Sequence, residues 1–97
     1  MGSDIDGVVQ EIVAQAQRSL RLQRVLLFGS RARGDARSGS DIDLAFEHDS
    51  SPAEWADFVN RMADEAPTLL DLDLVDLRRA SPHLRARILK EGKVAHG

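Results

Sequence analysis

One small mixed β-sheet flanked by helices, an α/β (α+β) arrangement, is the fold this sequence predicts. Three observations carry the prediction. Short apolar runs of strand length alternate with longer segments of helical periodicity. The helical segments are bounded by recognisable signals, among them Ser-Pro, Pro and Gly. The chain has 97 residues, which suits one domain spanning 1–97.

Taken in order, the first helix is expected from Asp6 to Arg21, with Ile5, Val8, Ile12, Ala16 and Leu20 on one apolar face. Asp4 or Asp6 can cap it. Arg24–Phe28 is a nearly continuous apolar run that stops at Gly29 and reads as a buried strand. Ser30–Ser40 is a loop with room for a short helical turn. Asp41–Phe46 alternates polar and apolar residues, the pattern of a half-exposed strand. Ser51-Pro52-Ala53-Glu54 is a capping box that opens a helix running to about Ala66, where Pro67 ends it. Trp55, Phe58, Val59 and Met62 form its core stripe. Leu69–Leu77 is the third strand. Pro82–Glu91 is a last helix, capped by Ser81 and stopped by Gly92. Lys93–His96 is a short edge strand or a frayed end.

Composition narrows the function classes. Hydrophobic residues make up 42% and charged residues 30%, a globular rather than a disordered balance. Thirteen Lys and Arg against sixteen Asp and Glu give a net charge of −3, so no general nucleic-acid binding is expected and any phosphate site is local. Without cysteine there is neither a disulfide framework nor a thiolate metal site. No apolar run approaches the ~18 residues of a membrane span, and no signal peptide is visible. A cytoplasmic protein without membrane contact is the expectation. His48, His83 and His96 lack metal-ligand spacing and read as surface histidines.

The chemistry concentrates in Gly29-Ser30, ten further residues, then Asp41-Ile42-Asp43. A strand that ends at glycine lets the backbone turn sharply and approach a ligand closely. Backbone N–H groups at such a turn cradle phosphate oxygens, and the Ser30 hydroxyl adds a donor. Arg31 and Arg33 supply cationic forks nearby. Asp41 and Asp43 lie two apart on a strand, so their carboxylates leave the same face, about 6–7 Å apart at the backbone. Carboxylates held that close repel, and Mg²⁺, an oxygen-seeking ion, relieves the repulsion. Asp73 has the same character on the third strand and shares a face with Asp71. If the two strands are neighbours, three carboxylates can meet at a two-metal phosphoryl-transfer centre. Gly29–Gly34 has the spacing of a P-loop, but Asp35-Ala36 follows where lysine and Ser/Thr are needed.

Those residues resemble the signature of the nucleotidyltransferase superfamily related to DNA polymerase beta. Val25-Leu26-Leu27-Phe28-Gly29-Ser30-Arg31-Ala32-Arg33-Gly34, Ser40-Asp41-Ile42-Asp43-Leu44 and Leu72-Asp73-Leu74-Val75-Asp76-Leu77 are most similar to its minimal nucleotidyltransferase (MNT) family. The resemblance implies a single-domain nucleotidyltransferase fold. It implies that Gly29 and Ser30, with Arg31, hold the triphosphate, and that Asp41, Asp43 and Asp73 bind Mg²⁺ as two ions. Asp73 would also help deprotonate the acceptor hydroxyl, with Asp71 and then Asp76 as alternatives. It further implies transfer of AMP from ATP to a hydroxyl, often of tyrosine, on a HEPN-type helical toxin, making the chain the antitoxin. This chain has no tyrosine of its own. A contact-only antitoxin and a small-molecule nucleotidyltransferase are the alternatives.

Overall fold

The computed structural model describes residues 5–37 and 39–97. Along the chain, α1 covers Ile5–Ser19, β1 Leu22–Phe28, α2 Ser30–Arg33 and β2 Ile42–His48. Then follow α3 at Pro52–Glu65, β3 at Leu72–Asp76, α4 at Pro82–Glu91 and β4 at Lys93–His96. The strands form one mixed sheet in the order β3-β2-β1-β4. β1 is antiparallel to β2 and β4, while β2 and β3 are parallel. The parallel pair requires a crossover, and α3 supplies it.

Helices cover both faces of the sheet. On one, Ile12 and Ala16 of α1 and Phe58 and Met62 of α3 pack on Val25, Ile42, Leu44 and Phe46. On the other, Ile88 of α4 packs on Leu26, Phe28, Ala45 and Leu77. The second layer changes one expectation: β2 is not half-exposed. Its Ala45 is buried, and Asp43 and Glu47 are only partly open, because α4 lies over that face.

Element ends shift for local reasons. The capping box at α3 forms: the Glu54 amide donates to Ser51 Oγ at 3.1 Å and the Ser51 amide to Glu54 Oε1 at 2.8 Å. That amide holds the Glu54 carboxyl below its ordinary value. β3 is shorter than Leu69–Leu77. The Leu70 amide is taken by Thr68 Oγ1 at 3.1 Å, and Leu69 is fully exposed, so the ladder starts only at Leu72. Of the two candidate caps for α1, Asp4 lies outside the described residues, and Asp6 sits in the first turn. β4 is a true edge strand on β1. Among the described residues, no helix is long and apolar enough to cross a membrane.

His48 is the clearest departure from the sequence reading, since it is 1% exposed rather than on the surface. Its ring stacks on Trp55 with centroids 5.2 Å apart. Nδ1 accepts the Ser50 amide at 3.1 Å, which puts the ring N–H on Nε2, 3.2 Å from Asp76 Oδ2. That contact is close but not aligned as a hydrogen bond. Asp76 Oδ1 accepts the Arg78 amide at 3.1 Å, and the Arg78 guanidinium donates to the Ser50 carbonyl. The cluster joins the ends of β2 and β3 to the start of α3. Nothing in the spacing of His48 and Asp76 along the chain announces it.

Removing Asp76 strands a buried imidazole and loosens Arg78. Asp76→Ala is expected to lower the unfolding free energy by about 3 kcal/mol, read from urea denaturation. Leu69→Ala, at a fully exposed position, should change it by less than about 0.5 kcal/mol.

Candidate active site

β1 ends at Phe28, and the chain turns at once through Gly29, whose φ of 73° and ψ of −155° suit glycine alone. A side chain there would also run into the Asp43 carboxylate, with a Cβ only 3.0 Å from its Cγ. α2 follows as a single tight turn. The Gly29 carbonyl accepts the Ala32 and Arg33 amides, each at 3.1 Å, and the Ser30 carbonyl accepts those of Gly34 and Asp35. The Ser30 amide therefore stands at the open end of the turn, outside the helix's own ladder, beside its hydroxyl. Gly34, left-handed at φ 85°, ends α2 and sends the chain back toward β2.

Parallel pairing sets Asp43 of β2 directly across from Asp73 of β3, on strands about 4.8 Å apart. Phe28 is the antiparallel partner of Asp43 on its other side. The two carboxyl groups are in hydrogen-bonding contact. Burial pushes the Asp43 carboxyl above its ordinary value of 3.8. The charges of Asp73 and Asp41 and the bond to Asp73 push it further, while Arg33 opposes them. A shared proton between two such groups is one way to quench the repulsion, and a hard divalent cation is the other.

Asp41 precedes the first paired residue of β2 and is exposed, near enough to act on Asp43 by charge. Among the described residues, no three His, Cys, Asp or Glu side chains converge tightly enough to hold an ion. Two of the three carboxylates thus meet, and the third stands at the lip. The donor set itself, all carboxylate oxygen, fits Mg²⁺.

The other residues singled out from sequence divide clearly. Arg33 is exposed, paired with Asp35 at 3.4 Å and Glu91 at 3.5 Å, and its charge is felt at Asp43. Arg31 turns to the Ser40 carbonyl. Asp71 lies just before β3, where its carbonyl accepts the Ile42 amide at 3.0 Å. Asp76 belongs to the His48 cluster three rungs away. A concavity of about 660 Å³ lies between α3 and β3, lined by Val59, Met62, Leu70 and Leu74 and reaching Asp71 and Asp73 at the strand edge. By strand alternation it is on the α3 side of the sheet, whereas the Asp43 side chain faces the α4 side.

Residues 10–96 match the family described as Polymerase beta, Nucleotidyltransferase. The chain belongs to this nucleotidyltransferase family. Over 80 residues it is 36% identical to the protein adenylyltransferase MntA of Shewanella oneidensis, a match covering 79% of this chain and 55% of that protein. The chain thus spans little more than half the length of this curated relative. Among solved structures it resembles a toxin–antitoxin complex with AMP-PNP, with a TM-score of 0.75 and 29% identity over 92% of this chain and 73% of the other. It also resembles a chain of the complex of tri-AMPylated Shewanella oneidensis HEPN toxin with MNT antitoxin, at TM-score 0.69 and 27% identity, covering 93% and 70%.

Two outcomes follow from this nucleotidyltransferase geometry. Gly29→Ala should destabilise the fold by about 2 kcal/mol or more through its φ and its collision with Asp43, visible as a lowered thermal midpoint. The second concerns pH. A folded-state carboxyl raised above its unfolded value adds stability at low pH and loses it as pH rises through the raised value. In EDTA, the midpoint of the wild type should therefore fall relative to that of Asp43→Asn between about pH 4 and pH 7. A wild-type midpoint that holds steady or rises relative to that of Asp43→Asn over that interval would show that Asp43 is not strained by its neighbours.

Proposed function

We propose that the chain is a Mg²⁺-dependent adenylyltransferase that moves AMP from ATP to a hydroxyl, preferably of tyrosine, on a HEPN-type helical toxin, and so acts as its antitoxin in the cytoplasm. The observation that carries the proposal is the in-register contact of Asp43 with Asp73 beside the Gly29–Ser30 turn. The backbone and hydroxyl donors of that turn and the two facing carboxylates lie at the same end of the strands of one sheet. The relatives supply the reaction class: one is named a protein adenylyltransferase, another structure contains AMP-PNP, and a third holds an AMPylated HEPN toxin.

The residues divide the work by position. The Ser30 amide and hydroxyl, at the mouth of the turn, receive triphosphate oxygens. Arg33, exposed and close enough to influence Asp43, adds positive charge where pyrophosphate leaves. Asp41, Asp43 and Asp73 would hold Mg²⁺, which when bound supplies charge neutralisation on the phosphate oxygens. Asp73, on the outermost strand, is the carboxylate open to an incoming partner and takes the proton of the acceptor hydroxyl. The acceptor oxygen bonds to the α-phosphorus, and the bond to pyrophosphate breaks. In-line positioning is the larger part of the rate. The chain itself offers no tyrosine, so a tyrosine acceptor belongs to another protein.

The test is intact-mass spectrometry of the co-encoded toxin after incubation with the chain, ATP and Mg²⁺. The toxin should gain adenylyl units. Asp43→Ala or EDTA should abolish the gain, and Arg33→Ala should raise the KM for ATP about tenfold. A toxin that is neutralised without any mass shift, equally well by Asp43→Ala, would establish inhibition by contact instead.

A further inference from the structure

Ten residues separate the Gly29–Ser30 turn from Asp41, and one side chain bridges them. Arg31 follows Ser30 directly. Its guanidinium donates twice to the carbonyl of Ser40, from Nε at 3.2 Å and from Nη2 at 2.7 Å. Ser40 is the residue before Asp41. The returning loop is closed at the same point. The Ser40 amide donates to the Arg37 carbonyl at 2.9 Å, and the Arg37 amide donates to the Ser40 hydroxyl at 2.8 Å.

Asp41 needs such support. It lies outside the paired registers of β2, which begin at Ile42 with β3 and at Asp43 with β1. Its charge is repelled by Asp43. The Ile42 amide, on Asp71, fixes the chain on one side of it, and the Ser40 carbonyl, on Arg31, fixes it on the other.

The structure assigns Arg31 a positioning role: its guanidinium clamps the Ser40 carbonyl, and thereby sets Asp41 against the Gly29–Ser30 turn, instead of contacting the triphosphate. The clamp makes the ten-residue spacing a matter of geometry, since a loop one residue longer or shorter would not return its Ser40 carbonyl to the same fork. Arginine suits the task because two N–H groups on one edge of a rigid plane reach a single acceptor, whereas lysine keeps the charge and loses the fork. The effect on rate rests on the adenylyltransferase reading; the clamp itself does not.

Arg31→Lys separates the roles. Amide hydrogen exchange at Arg37 and Ser40 in the ligand-free chain should quicken by about tenfold or more. In AMP transfer, kcat should fall about 30-fold while the KM for ATP stays within about threefold. Ser40→Ala, which removes the acceptor of the Arg37 amide, should move kcat the same way by less. Should Arg31→Lys exchange like wild type, the clamp is overturned, whatever the activity. It is overturned equally if Arg31→Lys keeps wild-type kcat while Arg31→Gln raises the KM for ATP about tenfold, the pattern of a phosphate ligand. Faster exchange in a chain whose wild type transfers no AMP leaves the clamp standing and sinks the adenylyltransferase reading.

Discussion

The contact between Asp43 and Asp73 is the constraint around which the rest of the molecule is arranged. Two carboxyl groups facing each other across a parallel pair of strands are unfavourable together, and the fold imposes the pairing all the same. α3 imposes it by carrying the chain from the end of β2 back to the start of β3, with Phe58 and Met62 sunk into the core. Just past the end of β1, the missing side chain of Gly29 leaves the room that the Asp43 carboxylate occupies. Apolar burial on both faces of the sheet is what offsets the strain. Polar strain at a site of chemistry, balanced by packing elsewhere, is the pattern expected of a functional centre.

Much of this was legible before any coordinates. Gly29 ends an apolar run, and the Asp-x-Asp alternation places two carboxylates on one face by parity alone. Ser51, Pro52 and Glu54 announced α3, and Pro67 closed it. These features are local, and local chemistry can be read from short strings. Strand register is not local. No string says that Asp43 faces Asp73 rather than Asp71; only the length and packing of the crossover decide that.

The misreadings have the same origin. His48 looked like a surface residue because its partners, Asp76 and Trp55, come from other elements. β2 looked half-exposed because the helix that covers its second face arrives thirty-odd residues later in the chain. The engagement of Arg31 with Ser40 is equally invisible in the string, since it depends on where the loop returns. Both errors replaced a long-range partner by solvent.

One consequence of the sheet's layout concerns how the molecule opens. β3 is an outermost strand, held by β2 alone within the sheet. At its far end, Asp76 is held beside buried His48 and bonded to the Arg78 amide; at its near end, the charge of Asp73 opposes that of Asp43. Attraction and repulsion thus sit three rungs apart on the same pair of strands. The β2–β3 pair is therefore fastened at its histidine end and loaded at its carboxylate end, so local opening costs least beside the site.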